Sequence, residues 1–251
     1  MYLTKECISP ALTRLAEFES ELETLFSNFN LDLRENTGRR NMLLSQAQEV
    51  FFAEAIAARG FSVTCSGKTG EPDIVIECEG KELECKLTSS GKRSWPLQCD
   101  YTTLKRKGSL DFLYVLSDSS FKKFAVLLFE NLTIEDFHFP APGSREKSRM
   151  RKEKAMKKCH VLHGKVESKN EKHVSNYMSR LLEESIRNQK KTNSLRKRIV
   201  KSSTEKKIES IERMLQNESK RFERKKDKIS DKIKYWNNST QQYHITLEPI
   251  K

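Results

Sequence analysis

Residues 70–87 read GEPDIVIECEGKELECKL, in which two runs of alternating apolar and polar residues flank a Glu-Gly pair. Alternation with a period of two is typical of β-strands. A short polar pair ending in glycine between two such runs indicates a hairpin turn, here at Glu79-Gly80. The pattern therefore predicts two antiparallel strands, at about residues 73–78 and 81–87.

The predicted hairpin sorts its side chains onto two faces. With a two-residue turn, Asp73 lies opposite Lys86, and Glu84 lies diagonal to Asp73 at ~7–8 Å between backbone positions. Opposed residues in an antiparallel pair point to the same side of the sheet. One face therefore groups Asp73, Glu84 and Lys86. The other face carries side chains suited to a core, namely Ile74, Ile76, Cys78, Leu83, Cys85 and Leu87. One weakness of this register is that it sets Glu77 against Glu82, two like charges.

The polar face has a definite chemical capacity. Two carboxylates that converge can share one hard cation through oxygen ligands, as Mg²⁺ sites require. A lysine beside them can orient or deprotonate a water molecule, or offset charge that develops on a phosphate. Asp73, Glu84 and Lys86 are therefore the candidate catalytic residues, and a charged solvent-facing hairpin is the alternative interpretation.

The flanking sequence predicts a helical and strand context for this hairpin. Ser9-Pro10 indicates a helix start, and helical spacing continues to about residue 29. A second helix is predicted at about 41–58, ended by Gly60. Further strands are predicted at 61–65, 111–116 and 123–129, with a loop leading into a helix between residues 87 and 111. The expected fold class is α/β.

Together these segments resemble the PD-(D/E)XK nuclease superfamily. Pro72-Asp73, ten intervening residues and then Glu84-Cys85-Lys86 match its signature, and the resemblance covers roughly residues 38–130. It implies a mixed β-sheet flanked by helices, Mg²⁺ dependence and phosphodiester hydrolysis that leaves a 5′-phosphate. In many members a glutamate on the preceding helix completes the metal site. Glu49 occupies the matching position, and Glu54 is the alternative. The other interpretation of Glu49 is an ordinary surface residue on an amphipathic helix.

Charge is distributed unevenly along the chain. The net charge is +12, which favours a polyanionic partner. Residues 144–236 hold 30 Lys and Arg against 13 Asp and Glu, while the remainder is net acidic. The Pro140–Gly143 run marks a boundary. We therefore expect a nuclease core at 1–140, a basic α-helical hairpin for DNA binding or dimerisation at 144–236, and a C-terminal strand at 240–251 that returns to the core.

Composition also limits the setting of the protein. The six cysteines form no CxxC pair, no apolar run is long enough to span a bilayer, and no secretory signal is evident. These features predict a reducing, cytoplasmic location without membrane insertion. A phosphate-binding loop of the GxxxxGK[ST] type is missing, so no nucleotide cofactor is expected.

The resulting expectation is a type II restriction endonuclease-like enzyme that cuts double-stranded DNA at a specific sequence with a metal-activated water. Cutting both strands of a palindrome favours a homodimer. Basic pairs flank the proposed centre in sequence and are candidate DNA contacts: Arg39, Arg40, Lys92 and Arg93. Two alternatives stay open, a structure-specific or repair nuclease such as a Holliday-junction resolvase, and a non-enzymatic nucleic-acid-binding protein.

Overall fold

The chain folds as two units in a computed structural model that describes residues 1–65, 70–89, 95–144, 146–202, 204–239 and 241–250. The first unit comprises Met1–Val166 and Tyr243–Lys251, and the second comprises Glu167–Gln242. The boundary predicted at Pro140–Gly143 therefore lies too early. The basic segment that follows it forms strands of the first unit instead of joining the helical region.

The helices and strands follow in this order: α1 (Lys5–Asn28), α2 (Thr37–Ala57), β1 (Val63–Cys65), β2 (Ile74–Ile76), β3 (Lys81–Ser89), β4 (Gln98–Asp100), α3 (Tyr101–Lys107), β5 (Leu110–Ser117), β6 (Lys123–Leu132), β7 (Lys147–Arg149), α4 (Lys152–Ala155), β8 (Cys159–His163), β9 (Lys165–Ser168), α5 (Lys169–Val200), α6 (Glu205–Asn238), β10 (Tyr243–Thr246) and β11 (Glu248–Pro249). The chain is thus mixed α and β. Among the described residues, no helix is long and apolar enough to cross a membrane.

One mixed sheet organises the first unit. Within the described residues it contains seven strands in the order β1-β2-β3-β5-β6-β11, with β8 also paired to β6. β3 and β5 are parallel, and the other neighbouring strands are antiparallel. The parallel pair requires a crossover between its strands, and α3 lies in that connection. The C-terminal strand reaches this sheet because Glu248 pairs with Phe124 of β6.

The core lies on both faces of the sheet. Every residue of β5 is buried, as expected for a strand covered on both sides. Leu113 and Val115 join a cluster with the buried faces of α1 and α2. Phe112, Tyr114 and Leu116 join a second cluster with residues of β4, α3 and α4. The sheet is therefore a rigid platform for groups carried on its strands.

The two N-terminal helices begin earlier than the sequence pattern indicated. α1 starts after Thr4, whose backbone N–H donates to Cys7 Sγ at 3.1 Å, and Pro10 lies inside the helix. Burial of Ile8 on the additional turn favours this earlier start. α2 starts after Asn36, whose side-chain oxygen accepts the Arg39 N–H at 3.1 Å. An asparagine in this position satisfies a donor that the first turn of a helix leaves open.

The register of the hairpin differs from the predicted one by two residues. Ile74 pairs with Leu83 and Ile76 with Lys81, so the turn contains four residues instead of two. A short 3-10 turn at Glu77–Glu79 leads to Gly80, whose φ of +58° favours glycine. This turn removes Glu77 from the ladder and so avoids the predicted like-charge pairing.

A shift of two residues preserves the faces, because side chains alternate with a period of two. The apolar face still packs into the core, where Ile74, Ile76 and Leu83 are fully buried. On the polar face, the observed register extended by one residue brings Asp73 opposite Glu84 instead of Lys86. The two carboxylates are therefore closer neighbours than the two-residue turn predicted.

The second unit is a pair of long helices. Ion pairs join Glu184 of α5 to Lys225 of α6 at 2.8 Å, and Lys191 to Glu218 at 2.5 Å, so the helices run antiparallel. α6 begins after Thr204. At the base of this helical hairpin, the side-chain amide of Asn170 donates to the backbone oxygens of Trp236 and Ser239, each at 3.1 Å.

Candidate active site

Two neighbouring strands of the first unit bring the predicted catalytic residues together. β3 carries Glu84 and Lys86, which share a side because they are two residues apart on one strand. Asp73 directly precedes β2, and its Oδ2 accepts the backbone N–H of Cys85 at 2.7 Å. This bond fixes the Asp73 carboxylate against the same strand that carries Glu84 and Lys86.

Asp73 is held where its charge is disfavoured. Burial raises the pKa of Asp73 to about 6, and the neighbouring Glu84 carboxylate adds to the increase. The Cys85 N–H and the Lys86 ammonium act in the opposite direction without cancelling it. A carboxylate in this state gains from any bound cation that offsets the repulsion.

Lys86 forms an ion pair with Glu84, with 2.5 Å between Nζ and Oε1. Burial alone would lower the pKa of Lys86, but the charges of Glu84 and Asp73 outweigh burial and raise it. Lys86 is therefore an ammonium ion at neutral pH in this arrangement. It is suited to orient water or to balance negative charge on phosphate, and it is poorly suited to remove a proton.

Glu49 of α2 belongs electrostatically to the same group. Burial, together with the nearby carboxylates of Asp73 and Glu84, raises the pKa of Glu49 to about 7. Glu54, the other candidate on this helix, forms an ion pair with Arg14 of α1 instead. The structure therefore associates Glu49, and not Glu54, with the predicted site.

Two cations that the sequence interpretation missed hold the loop before Asp73. Arg106 at the end of α3 donates to the Gly70 carbonyl, and Lys107 lies 3.2 Å from Glu71. Lys107 also contacts Glu82 of β3 at 2.9 Å. A basic last turn on a helix is common, so no feature of the sequence indicated that these residues position a loop.

The donor set suits a hard cation in its chemistry. Asp73, Glu84 and Glu49 offer carboxylate oxygens, the ligand type that Mg²⁺ prefers. Among the described residues, no group of three or more His, Cys, Asp and Glu side chains is arranged to hold a metal ion. Mg²⁺ commonly binds through one or two carboxylates and completes its shell with water and substrate oxygens. Asp73 and Glu84 supply two carboxylates of this kind.

A cleft of about 450 Å³ opens beside Glu84 and Lys86. β3 forms one wall, and the two-stranded pair of β4 and β7 forms another. The lining residues are Gly70, Glu71, Glu84, Lys86, Leu87, Thr88, Pro96, Gln98, Cys99, Asp100, Thr103, Tyr114 and Lys147. A concave space of this size next to perturbed titratable groups is a common form of substrate site.

The predicted DNA contacts have three different outcomes. The prediction that Arg40 contacts DNA is wrong, because its side chain is 0 % exposed and forms an ion pair with Glu19 at 3.3 Å. Its guanidinium also donates to the Ser119 carbonyl at 2.8 Å, so it joins elements of the core. Arg39 is exposed and stays a prediction. Lys92 and Arg93 lie outside the described residues.

Comparison with known proteins adds no relative from which a role could be transferred. The geometry and electrostatics of the chain therefore carry its functional interpretation alone. No protein-family model, curated protein or solved structure matches this sequence or its fold.

Proposed function

We propose that this chain is a Mg²⁺-dependent DNA endonuclease with a PD-(D/E)XK-type core, similar in kind to the type II restriction endonucleases. One observation carries the proposal. Asp73 and Glu84 lie on one face of a β-hairpin with their charges in mutual repulsion, and the Lys86 ammonium contacts Glu84 beside a cleft. Titratable groups with raised pKa values beside a cleft, such as Asp73 and Glu49, are more typical of a functional site than of a plain solvent-facing strand.

The roles of the residues follow from their charges. Asp73 and Glu84 would hold the cation, which supplies Lewis acidity and charge compensation at the phosphate. Lys86, already protonated, would orient the attacking water and balance charge on the phosphate oxygens. Glu49 has a pKa of about 7, so its carboxylate is suited to accept a proton near neutral pH. These assignments leave Asp73 and Glu84 as the residues whose loss matters most.

DNA is the proposed substrate because of the charge of the second unit. Residues Glu167–Gln242 contain 21 Lys and Arg against 11 Asp and Glu, a net charge of +10. Six exposed cations lie around the connection between α5 and α6, and no acidic side chain among the described residues pairs with them: Arg196, Lys197, Arg198, Lys201, Lys206 and Lys207. Such a cluster favours contact with a phosphate backbone. A homodimer, as palindromic cutting favours, is part of the same proposal.

The test is incubation of purified protein with long unmethylated DNA in Mg²⁺ or in EDTA. We expect discrete fragments in Mg²⁺ only, and a loss of about 100-fold or more in rate for Asp73→Asn. Glu54→Gln, on the same helix as Glu49 but outside the site, serves as the matched control. Uncut DNA in every condition, with linear and branched substrates alike, would contradict the catalytic proposal.

The same experiment separates the alternative functions. Preferential cutting of a four-way junction over linear duplex would favour a structure-specific nuclease of the resolvase kind. The second candidate, a non-enzymatic nucleic-acid-binding protein, is favoured by the unpaired cations of the second unit. It would bind DNA with equal affinity before and after Asp73→Asn and would cut none.

A further inference from the structure

The cleft beside Lys86 contains polar side chains that the fold itself does not use. Thr88, Gln98, Thr103 and Lys147 line it from β3, β4, α3 and β7 in turn. Within the part of the chain that the structure describes, none of these four side chains forms a hydrogen bond or ion pair with another residue. Their donors and acceptors are therefore open to a ligand.

The acidic residues of the cleft are different, because each already has a partner. Glu71 lies 3.2 Å from Lys107, and Glu84 lies 2.5 Å from Lys86. Asp100 caps α3 by accepting the Thr103 N–H at 2.8 Å. The cation at the far wall, Lys147, is the cross-strand neighbour of Asp100 in the register of β4 and β7, yet no ion pair joins the two side chains.

Lys147 is placed there by a strand that the sequence pattern did not indicate. β7 pairs with β4, and its side chains alternate, so Lys147 and Arg149 are exposed while Ser148 between them is buried. Lys147 lines the cleft and Arg149, two residues along the same strand, does not. The two residues therefore form a natural comparison, with similar charge and exposure and a different relation to the cleft.

We propose that the cleft binds one nucleotide of the DNA strand being cut, with Lys147 on the phosphate that neighbours the scissile one. Gln98, Thr88 and Thr103 supply hydrogen bonds to the sugar and base of that nucleotide. A volume of about 450 Å³ lies in the range that encloses a small organic ligand, whereas a whole duplex is far too wide to enter. This inference rests on the proposed nuclease function and adds a substrate-positioning residue to it.

The first measurement compares Lys147→Gln with Arg149→Gln on a labelled duplex that carries the cleavage site mapped on long DNA. Losing a charge-assisted contact to phosphate should raise KM by about tenfold for Lys147→Gln. We expect kcat to stay within about twofold, because Lys147 does not touch the reacting atoms. Lys147→Arg should keep KM close to the wild-type value, and Arg149→Gln should change KM by less than about twofold.

The second measurement is the salt dependence of binding, made with Asp73→Asn protein so that the duplex is not cut. We expect Lys147→Gln to reduce the slope of log affinity against log salt by about one. Equal losses for Lys147→Gln and Arg149→Gln would assign the effect to general surface charge and overturn the inference. An unchanged KM and slope for Lys147→Gln, with wild-type protein that cuts, would overturn the inference alone. Wild-type protein that neither binds nor cuts would overturn the proposed function with it.

Discussion

Replacing Asp73 by asparagine should make the folded protein more stable at alkaline pH while it removes cleavage. Burial and the Glu84 charge raise the pKa of Asp73 in the folded state. A carboxyl group with a raised folded-state pKa contributes stability that is fully present below its unfolded value and is lost as pH rises through its folded value. Asparagine has no charge, and its side-chain oxygen can still accept the Cys85 N–H.

The size of the effect follows from the two pKa values. The pKa of Asp73 moves from 3.8 to about 6, and each pH unit between these values corresponds to about 1.4 kcal/mol. The full interval gives ~3 kcal/mol, and solvent screening at a partly buried group reduces the expected gain to about 1–2 kcal/mol. The gain should be complete at pH 8 and close to zero at pH 4, which is near the unfolded pKa and well below the folded one.

The assay is urea unfolding in EDTA at pH 4.5 and pH 8, followed by tryptophan fluorescence. A Trp236→Phe background leaves Trp95, which is buried in the first unit, as the reporter. We expect the unfolding midpoint of Asp73→Asn to exceed that of the parent at pH 8 and to approach it at pH 4.5. A midpoint at pH 8 that is equal to or lower than the parent's would refute the electrostatic account of the site.

Asp118→Asn is the matched control, because the same type of substitution should change the stability of the folded protein in the opposite direction there. Burial alone would raise the pKa of Asp118, but hydrogen bonds from Ser120 and from the backbone of Lys123 and Lys122 outweigh it and lower the pKa. A lowered pKa contributes stability that is present above the unfolded value and lost as pH falls. Asp118→Asn should therefore destabilise the protein at pH 8 and have less effect at low pH.

Three further predictions concern the same unit. Adding Mg²⁺ should raise the unfolding midpoint of wild-type protein more at pH 8 than at pH 4.5, and should not do so for Asp73→Asn; equal shifts would place the cation elsewhere. Glu49→Gln should lower the cleavage rate at least about tenfold, whereas Glu54→Gln should stay within about twofold, as single-turnover rates would show. Arg40→Leu should cost about 1–3 kcal/mol in urea unfolding, because buried Glu19 keeps only Arg34 as an ion-pair partner and the Ser119 carbonyl loses its donor, and Arg40→Leu with Glu19→Gln should recover part of that loss.

The faces of the hairpin were predictable, and its register was not. Alternation of side chains depends only on sequence parity, so the grouping of Asp73, Glu84 and Lys86 survives a shift of two residues. The turn type depends on local backbone geometry. Gly80 is compatible with both a two-residue turn and the observed 3-10 turn, so the sequence did not distinguish them.

Residues whose roles depend on distant partners were the ones that sequence patterns missed. Arg40 stands beside Arg39 in a polar segment, and only the approach of Glu19 and Ser119 makes it a core residue. Lys147 lies in a basic stretch that resembles the helices following it. Its pairing with β4 depends on contacts across more than forty residues of chain, which local composition cannot indicate.

The ties at the base of the helical hairpin have a consequence for protein engineering. The second unit interrupts the first in sequence, so the last strand can be added only after residues 167–242 have been made. The Lys169 N–H donates to the Gln242 carbonyl at 2.7 Å, so the first and last residues of the second unit lie close together. A chain segment with adjacent ends imposes little loop-closure entropy on its host. We therefore expect that a short glycine-rich connection could replace the whole hairpin and leave a minimal domain that still folds.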